Sequence, residues 1–185
     1  MLIFSMSVTV DGYIADRDGA FGWSPPSDEL FAFHLARVRG LGAYLLGRRL
    51  YEAMLPWETD PAMRDTALKA EFADVWTALP KVVFSRTLDR VEGNARLAEA
   101  PVADELARVM AETDRDVEIG GATLAARAVE LGLVDELRIF RMPVVVGGGT
   151  AYLPPVAQDI RLELVETRVF DVHVIYERYR RAAAL

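Results

Sequence analysis

The sequence predicts an α/β protein: a mixed, mostly parallel sheet flanked by helices, with an antiparallel hairpin at its C-terminal end. Three observations predict it. Apolar runs of strand length alternate with amphipathic runs of helix length, the pattern of strand–helix–strand units. Three of the strands end at residues suited to a phosphate. Ala43-Tyr44-Leu45-Leu46 runs into Gly47-Arg48-Arg49, Lys81-Val82-Val83-Phe84 into Ser85-Arg86-Thr87, and Asp116-Val117-Glu118-Ile119 into Gly120-Gly121-Ala122-Thr123. Last, residues 162–168 and 172–179 alternate strongly and lie close together, as in a hairpin.

Each element has its own signal. Phe4, Met6, Val8 and Val10 alternate with Ser5, Ser7 and Thr9, so residues 2–10 form a strand. Asp11-Gly12 opens a loop that reaches Pro25-Pro26 and carries a second Asp-Gly pair at Asp18-Gly19. Ser27-Asp28-Glu29 starts a helix, continued by Leu30, Phe31, Leu35 and Val38 and ended by Gly40 and Gly42. Residues 43–47 are the second strand. Arg48 to Leu55 is a short helix closed by Pro56, and residues 62–78 a longer one with Phe72, Val75 and Trp76 near one face. Residues 80–85 are a strand, and Ala95-Arg96-Leu97 a short extended piece. Pro101 suits a first helical turn and opens 102–112, with Val102, Leu106, Val109 and Met110 in a stripe. The strand at 116–119 leads into a helix at 121–131, ended by Gly132. A long strand at 136–146 is interrupted by Pro143 and runs out at Gly147-Gly148-Gly149. After the hairpin, Ala182-Ala183-Ala184 reads as a frayed tail. No linker or repeat divides residues 1–185, which read as one domain.

Composition bounds the function. The 185 residues are 52% apolar and 26% charged, enough for a substantial core. A net charge of -7 argues against broad contact with nucleic acid or an anionic membrane. The chain has no cysteine, which excludes disulfides, zinc thiolates, iron–sulfur clusters and a thiol nucleophile. Met1-Leu2-Ile3-Phe4 lacks a basic leader, and no apolar stretch approaches the ~20 residues of a spanning helix. These features fit a cytoplasmic protein with a small-molecule partner.

The three strand ends in sequence order point to one extended anionic ligand, most simply a dinucleotide, bound at the carboxyl edge of the sheet. Gly120-Gly121 lies between a strand and a helix, where unpartnered first-turn N–H groups attract a diphosphate; the bland alternative is a tight turn. Neither the G-x-G-x-x-G fingerprint nor the P-loop pattern is present. Arg48, Arg49 and Arg86 are either solvated surface cations or partners of a terminal phosphate, with Ser85 as an added donor. Paired arginines favour NADPH over NADH. Asp11 is a turn aspartate or part of a loop covering the ligand. Asp28 and Glu29 are helix caps, or one of them handles a proton in the pocket. Trp23 and Trp57 are ordinary packed aromatics or stack on a flat heterocycle. His34 and His173 lack metal-ligand spacing and read as structural or surface residues, and no metal site is expected.

Together these residues resemble the dihydrofolate-reductase-like superfamily, in the branch related to the reductase domain of bacterial riboflavin biosynthesis. The resemblance rests on Ser7 to Ala15, Leu45 to Glu52, Val83 to Thr87, Ile119 to Ala122, and Val134 to Arg138 through Pro143 to Gly149. It implies a dihydrofolate-reductase-like sheet with NADPH across the strand ends. Arg48, Ser85 and Arg86 would take the adenosine 2′-phosphate, with Gly47 and Arg49 beside them. Gly120, Gly121, Ala122 and Thr123 would hold the diphosphate, across a Gly-Gly bond that is often cis in the family. Asp11 to Ala15 would border the nicotinamide, and hydride would pass to a flat heterocycle or a carbonyl-like carbon. Relatives reduce 5-amino-6-(5-phosphoribosylamino)uracil or dihydrofolate, and such reductase domains are often homodimers, a contact the apolar C-terminal hairpin could serve. The family usually has Thr where this chain has Leu50, and often Asp where it has Gly42. In dihydrofolate reductases a first-helix carboxylate binds the pterin; Asp28 or Glu29 is its nearest match here. Against an NADPH-dependent reductase stands a second reading, a non-catalytic NADP(H)-binding sensor or assembly protein.

Overall fold

A computed structural model describes residues 1–23 and 26–182. Pro25 of the expected first loop, and Ala183 and Ala184 of the expected tail, lie outside the described residues. In chain order the elements are β1 (Leu2–Thr9), β2 (Tyr13–Ala15), α1 (Asp28–Arg39), β3 (Leu41–Gly47), α2 (Arg48–Met54) and α3 (Pro56–Thr59). A 3-10 turn at Pro61–Arg64 follows, then α4 (Ala67–Ala78), β4 (Lys81–Phe84), β5 (Ala95–Leu97) and α5 (Val102–Glu112). The chain continues through β6 (Asp116–Gly120), α6 (Ala122–Glu130), β7 (Glu136–Met142), β8 (Thr150–Ala151), β9 (Leu162–Val169) and β10 (Ile175–Arg181).

Among the described residues one eight-stranded sheet has the order β5-β4-β3-β6-β1-β7-β10-β9, and β2 pairs with β8 in a small second sheet. The six strands from β5 to β7 are parallel, and β10 is antiparallel to both β7 and β9. This is the mostly parallel sheet with a C-terminal antiparallel hairpin that the sequence predicts. Helices cover both faces. α5 and α6 pack Leu106, Val109, Ala125 and Ala128 against Phe4, Leu45, Val117 and Ile119. On the other face α1 and α4 bring Leu35, Val38, Phe72 and Trp76 onto Ile3, Tyr44, Leu46 and Val83. No described helix is long and apolar enough to cross a membrane.

Several boundaries differ from the sequence reading, each for a local reason. Ser5 and Thr9 are as buried as the apolar phase of β1, because the central strand is covered on both faces. Pro56 does not close a helix but opens α3, where its missing N–H costs nothing. α4 starts at Ala67, later than the expected residue 62, because Thr66 caps it by accepting the Lys69 N–H at 3.2 Å. β3 begins at Leu41 and runs through Gly42. β7 stops at Met142, before Pro143, and the chain beyond crosses to form β8 against β2. The second hairpin strand begins at Ile175 because residues 170–174 make the turn, closed by a Phe170 N–H to Val174 carbonyl bond and by His173 at φ 61°.

Candidate functional site

A groove of about 1220 Å³ runs along the carboxyl ends of the parallel strands. Its lining takes residues from or just beyond β1, β3, β4, β5, β6 and β7. This is the edge of an open α/β sheet at which ligands sit.

One end of the groove is made by chain reversals. Gly47 ends β3, Gly121 follows β6, and their backbones meet: a Cβ on Gly121 would stand 3.4 Å from Gly47 Cα. Gly121 also has φ +95°, a left-handed value that favours glycine. It is the N-cap of α6, which has neither a side-chain cap nor an acidic residue in its first turn. Its unpartnered N–H groups therefore belong to residues that line the groove, Ala122 and Thr123 among them. Gly120 lies beneath the surface and does not line the groove. A Cβ there would fall 2.2 Å from Leu50 Cδ2, so Leu50 occupies the space that this glycine leaves. The Gly120–Gly121 bond is trans, not cis.

Arg48, Arg49, Ser85 and Arg86 line this same end. Arg48 Nε donates to Glu52 at 2.7 Å and its Nη1 to Thr87 Oγ1. Ser85 Oγ accepts from the N–H groups of Thr87 at 3.1 Å and Leu88 at 3.0 Å, which leaves its hydroxyl proton to donate. Arg49 and Arg86 are exposed. The arrangement fits an extended anion: helix N–H groups at one point and guanidinium groups beside them.

The other end is built between α1, α3 and the sheet. Here lies a buried polar network that sequence reasoning missed. Arg37 Nη2 donates to Ser5 Oγ at 2.8 Å and to Glu118 Oε2 at 2.7 Å, and Tyr44 OH donates to Glu118 Oε1 at 2.9 Å. Burial and the neighbouring Glu118 carboxylate push the Tyr44 phenol well above its usual range, so it remains a donor. His34 lines the groove one helical turn from Arg37, its ring 4.3 Å from that of Phe140. Burial first, and then the Arg37 charge, lower its imidazole to about 3. The polar phase of β1 was the available signal: Ser5 and Ser7 both face this groove. Arg37 and His34 carried none, because a cation on an amphipathic helix reads as solvent-facing.

The predicted residues divide. Ala15, Gly47, Arg48, Arg49, Ser85, Arg86, Gly121, Ala122, Thr123 and Trp57 line the groove together. Trp57 packs on Phe72 at 4.6 Å and Phe31 at 5.6 Å, forming an aromatic wall. Asp11 does not line it. It accepts from Thr9 Oγ1 at 2.6 Å and from the Gly147 N–H at 2.7 Å, tying the first turn to the triple-glycine segment. The Thr9 hydrogen bond is the main reason that its carboxyl lies below the usual range. Asp28 is exposed in the first turn of α1. Glu29 points away from the groove toward the hairpin, where it pairs with Arg168 and accepts the Asp171 N–H at 3.4 Å. Trp23 packs against the apolar cluster that contains Leu30, Phe140 and Tyr176, outside the groove lining.

Residues 1–176 match the model of the RibD C-terminal domain family. The chain is 29% identical over 176 residues to the uncharacterised protein YyaP of Bacillus subtilis (strain 168), covering 94% of this chain and 91% of that one. Its fold is similar to that of a Shewanella sp. PV-4 protein with a proposed role in riboflavin biosynthesis, at a TM-score of 0.79 and 21% identity over 98% of this chain and 99% of the other. It is also similar to dihydrofolate reductase from Enterococcus faecalis, solved with NADP(H), at a TM-score of 0.65 and 19% identity over 99% and 97% of the two chains. The fold is thus dihydrofolate-reductase-like.

Proposed function

This chain belongs to the RibD C-terminal domain family, and from that premise we propose that it is an NADPH-dependent reductase of a small heterocyclic or carbonyl-like substrate. One observation carries the reading: the uncapped N-terminus of α6 and three arginines, Arg48, Arg49 and Arg86, share one end of a single groove. A diphosphate plus a phosphate monoester matches that donor set better than either alone. In this reading the N–H groups of Ala122 and Thr123 hold the diphosphate, and Gly121 and Gly47 let it approach. Arg86, Arg48 and the Ser85 hydroxyl hold the 2′-phosphate. Ala15, with the β2–β8 sheet behind it, borders the nicotinamide. Bound NADPH supplies the hydride, and the chain orients it and excludes water. The likeness to a reductase solved with NADP(H) supports the cofactor, and the family supports the reaction class.

Fluorescence titration tests this. NADPH should bind more tightly than NADH, and Arg86→Ala should weaken NADPH by about 10- to 100-fold while leaving NADH unchanged, the loss of one charged hydrogen-bonded pair. Equal affinity of the unmutated chain for both cofactors overturns the 2′-phosphate assignment. A second reading, a nucleotide-binding sensor or assembly protein without turnover, is favoured by the position of Asp28 and Glu29 outside the groove. It expects NADPH binding with no oxidation across dihydrofolate, aminouracil, flavin and quinone substrates, and sustained turnover of any of them excludes it.

A further inference from the structure

We propose that the face of β7 and β10 turned toward α1 carries a second anion site, outside the groove, in which Arg138, Arg178 and Arg180 bind a small phosphate-type oxyanion. Strand register builds it. Glu136 and Arg138 alternate onto one face of β7, and β10 sets Arg180 opposite Glu136 and Arg178 opposite Arg138. Phe140 and Tyr176 continue the same two rows and pack with Leu30 and Phe33 of α1, which identifies the face. Across the sheet Arg138 is the register partner of Ser5, whose hydroxyl accepts from Arg37. None of Arg138, Arg178 and Arg180 lines the groove.

The charge there is unbalanced. The fully buried Glu136 carboxylate is shared by all three arginines: Arg138 Nε stands 2.7 Å from it, Arg178 Nε 2.8 Å and Arg180 Nη2 3.5 Å. Burial opposes its ionisation, but Arg178 and Arg138 outweigh that and hold its carboxyl below the usual range. One carboxylate answers one guanidinium, and two remain in excess. Glu166 Oε2 is 3.9 Å from Arg178 Nη1, beyond hydrogen-bond reach. Glu163 lies opposite Arg180 in register but forms no ion pair with it among the described residues. In a chain of net charge -7 this local excess of cations is not a bulk effect.

The donors are also unspent. The Arg138 and Arg178 side chains are only 12% and 25% exposed, so both guanidinium groups are recessed. Their terminal nitrogens have no hydrogen-bond acceptor among the described residues. Arg178 Nε is buried and makes no hydrogen bond, because its N–H is not aimed at the Glu136 oxygen beside it. Arg37 Nε, on the same side of the sheet, is likewise buried without an acceptor. Cationic donors withdrawn from water and left unmet are costly. A tetrahedral oxyanion accepts from two guanidinium forks at once and relieves that cost. The recess suits a small ion better than the surface of another protein.

Calorimetric titration at pH 7 and constant ionic strength tests this, with inorganic phosphate and glycerol 3-phosphate as probes. Both also suit the α6 end of the groove, so each variant is made in the Arg86→Ala background. In that background one probe should bind with a Kd of about 1 mM or tighter, the yield of two or three charge-assisted hydrogen bonds. The tighter probe shows whether the site takes the free ion or a phosphate ester. Arg178→Gln should weaken binding about tenfold or more. Arg180→Gln, which leaves the two inner pairs of Glu136 in place, should weaken it about threefold. Binding of neither probe, or an isotherm that neither substitution changes, overturns the site. If Arg178→Gln fails to fold, the Arg180→Gln titration decides alone.

Discussion

A single side chain shows how burial in the groove is linked to stability. His34 is held neutral down to about 3, mainly by desolvation and then by Arg37. In the unfolded chain a histidine takes up its proton near pH 6.5. Between those values the unfolded state binds the extra proton, so folding loses stability as pH falls through this window, by about 1.4 kcal/mol per unit. Urea unfolding at pH 7.0 and 5.5 should therefore cost the unmutated chain about 1 kcal/mol more than His34→Phe. Equal losses would mean that the imidazole is not protected. The same scale explains two departures from the family pattern. Leu50 stands where a threonine is usual because it fills the space over Gly120. Gly42 stands where an aspartate is common because any Cβ there would lie 2.2 Å from Thr113 Oγ1. Both substitutions were visible in the sequence. Their cause was not, since it depends on neighbours 70 and 71 residues away along the chain.

Elements with their own periodicity were legible; elements that exist only through a distant partner were not. The stripe of α5 and the run of β3 announced themselves. β2 and β8 have three and two residues and form only against each other, across most of the chain. The α3 turn is likewise held from outside. Glu58 of α3 pairs with Lys81 of β4 at 3.0 Å, and a side chain at Gly93 would have to displace the Glu58 carboxylate, because a Cβ there would fall 1.4 Å from its Oε2. Lys81 Nζ also donates to the Trp76 and Leu79 carbonyls at 2.6 and 2.9 Å, closing the C-terminal end of α4. Burial lowers the Lys81 ammonium below its usual range, and the Glu58 partner opposes that shift. Removing one member of a buried pair strands the other. Lys81→Met should cost about 3–5 kcal/mol in urea unfolding, and adding Glu58→Gln should recover a substantial part of it. A nearly neutral Lys81→Met would show that the clip does not hold α3 and β4 together.

At the scale of the whole molecule, the two ends of the sheet are finished differently. β5 is a three-residue edge strand, short enough to template little. β9 is an eight-residue edge strand, exposed along its entire length. Its pairing with β10 shifts register between Arg178 and Tyr179, leaving Val165 as the extra residue of a bulge. Without that bulge, strict alternation would send Leu162 and Leu164 to the face opposite Val169. With it, Leu162, Leu164, Val169 and Ile175 share one face, at 38%, 57%, 69% and 38% exposure. Thr167 and Glu177 lie between the two apolar ends of this face, but exposed apolar side chains along a long edge strand mark a surface that gains by being covered, and a second copy of the same hairpin is its simplest cover. We therefore expect a homodimer through β9 and β10. Sedimentation velocity at micromolar concentration should give a dimer that Leu164→Glu with Val169→Glu converts to monomer. Because the stripe lies far from the α6 end of the groove, NADPH affinity should survive the conversion. A monomer in the unmutated chain would instead leave the stripe to some other partner and refute self-association.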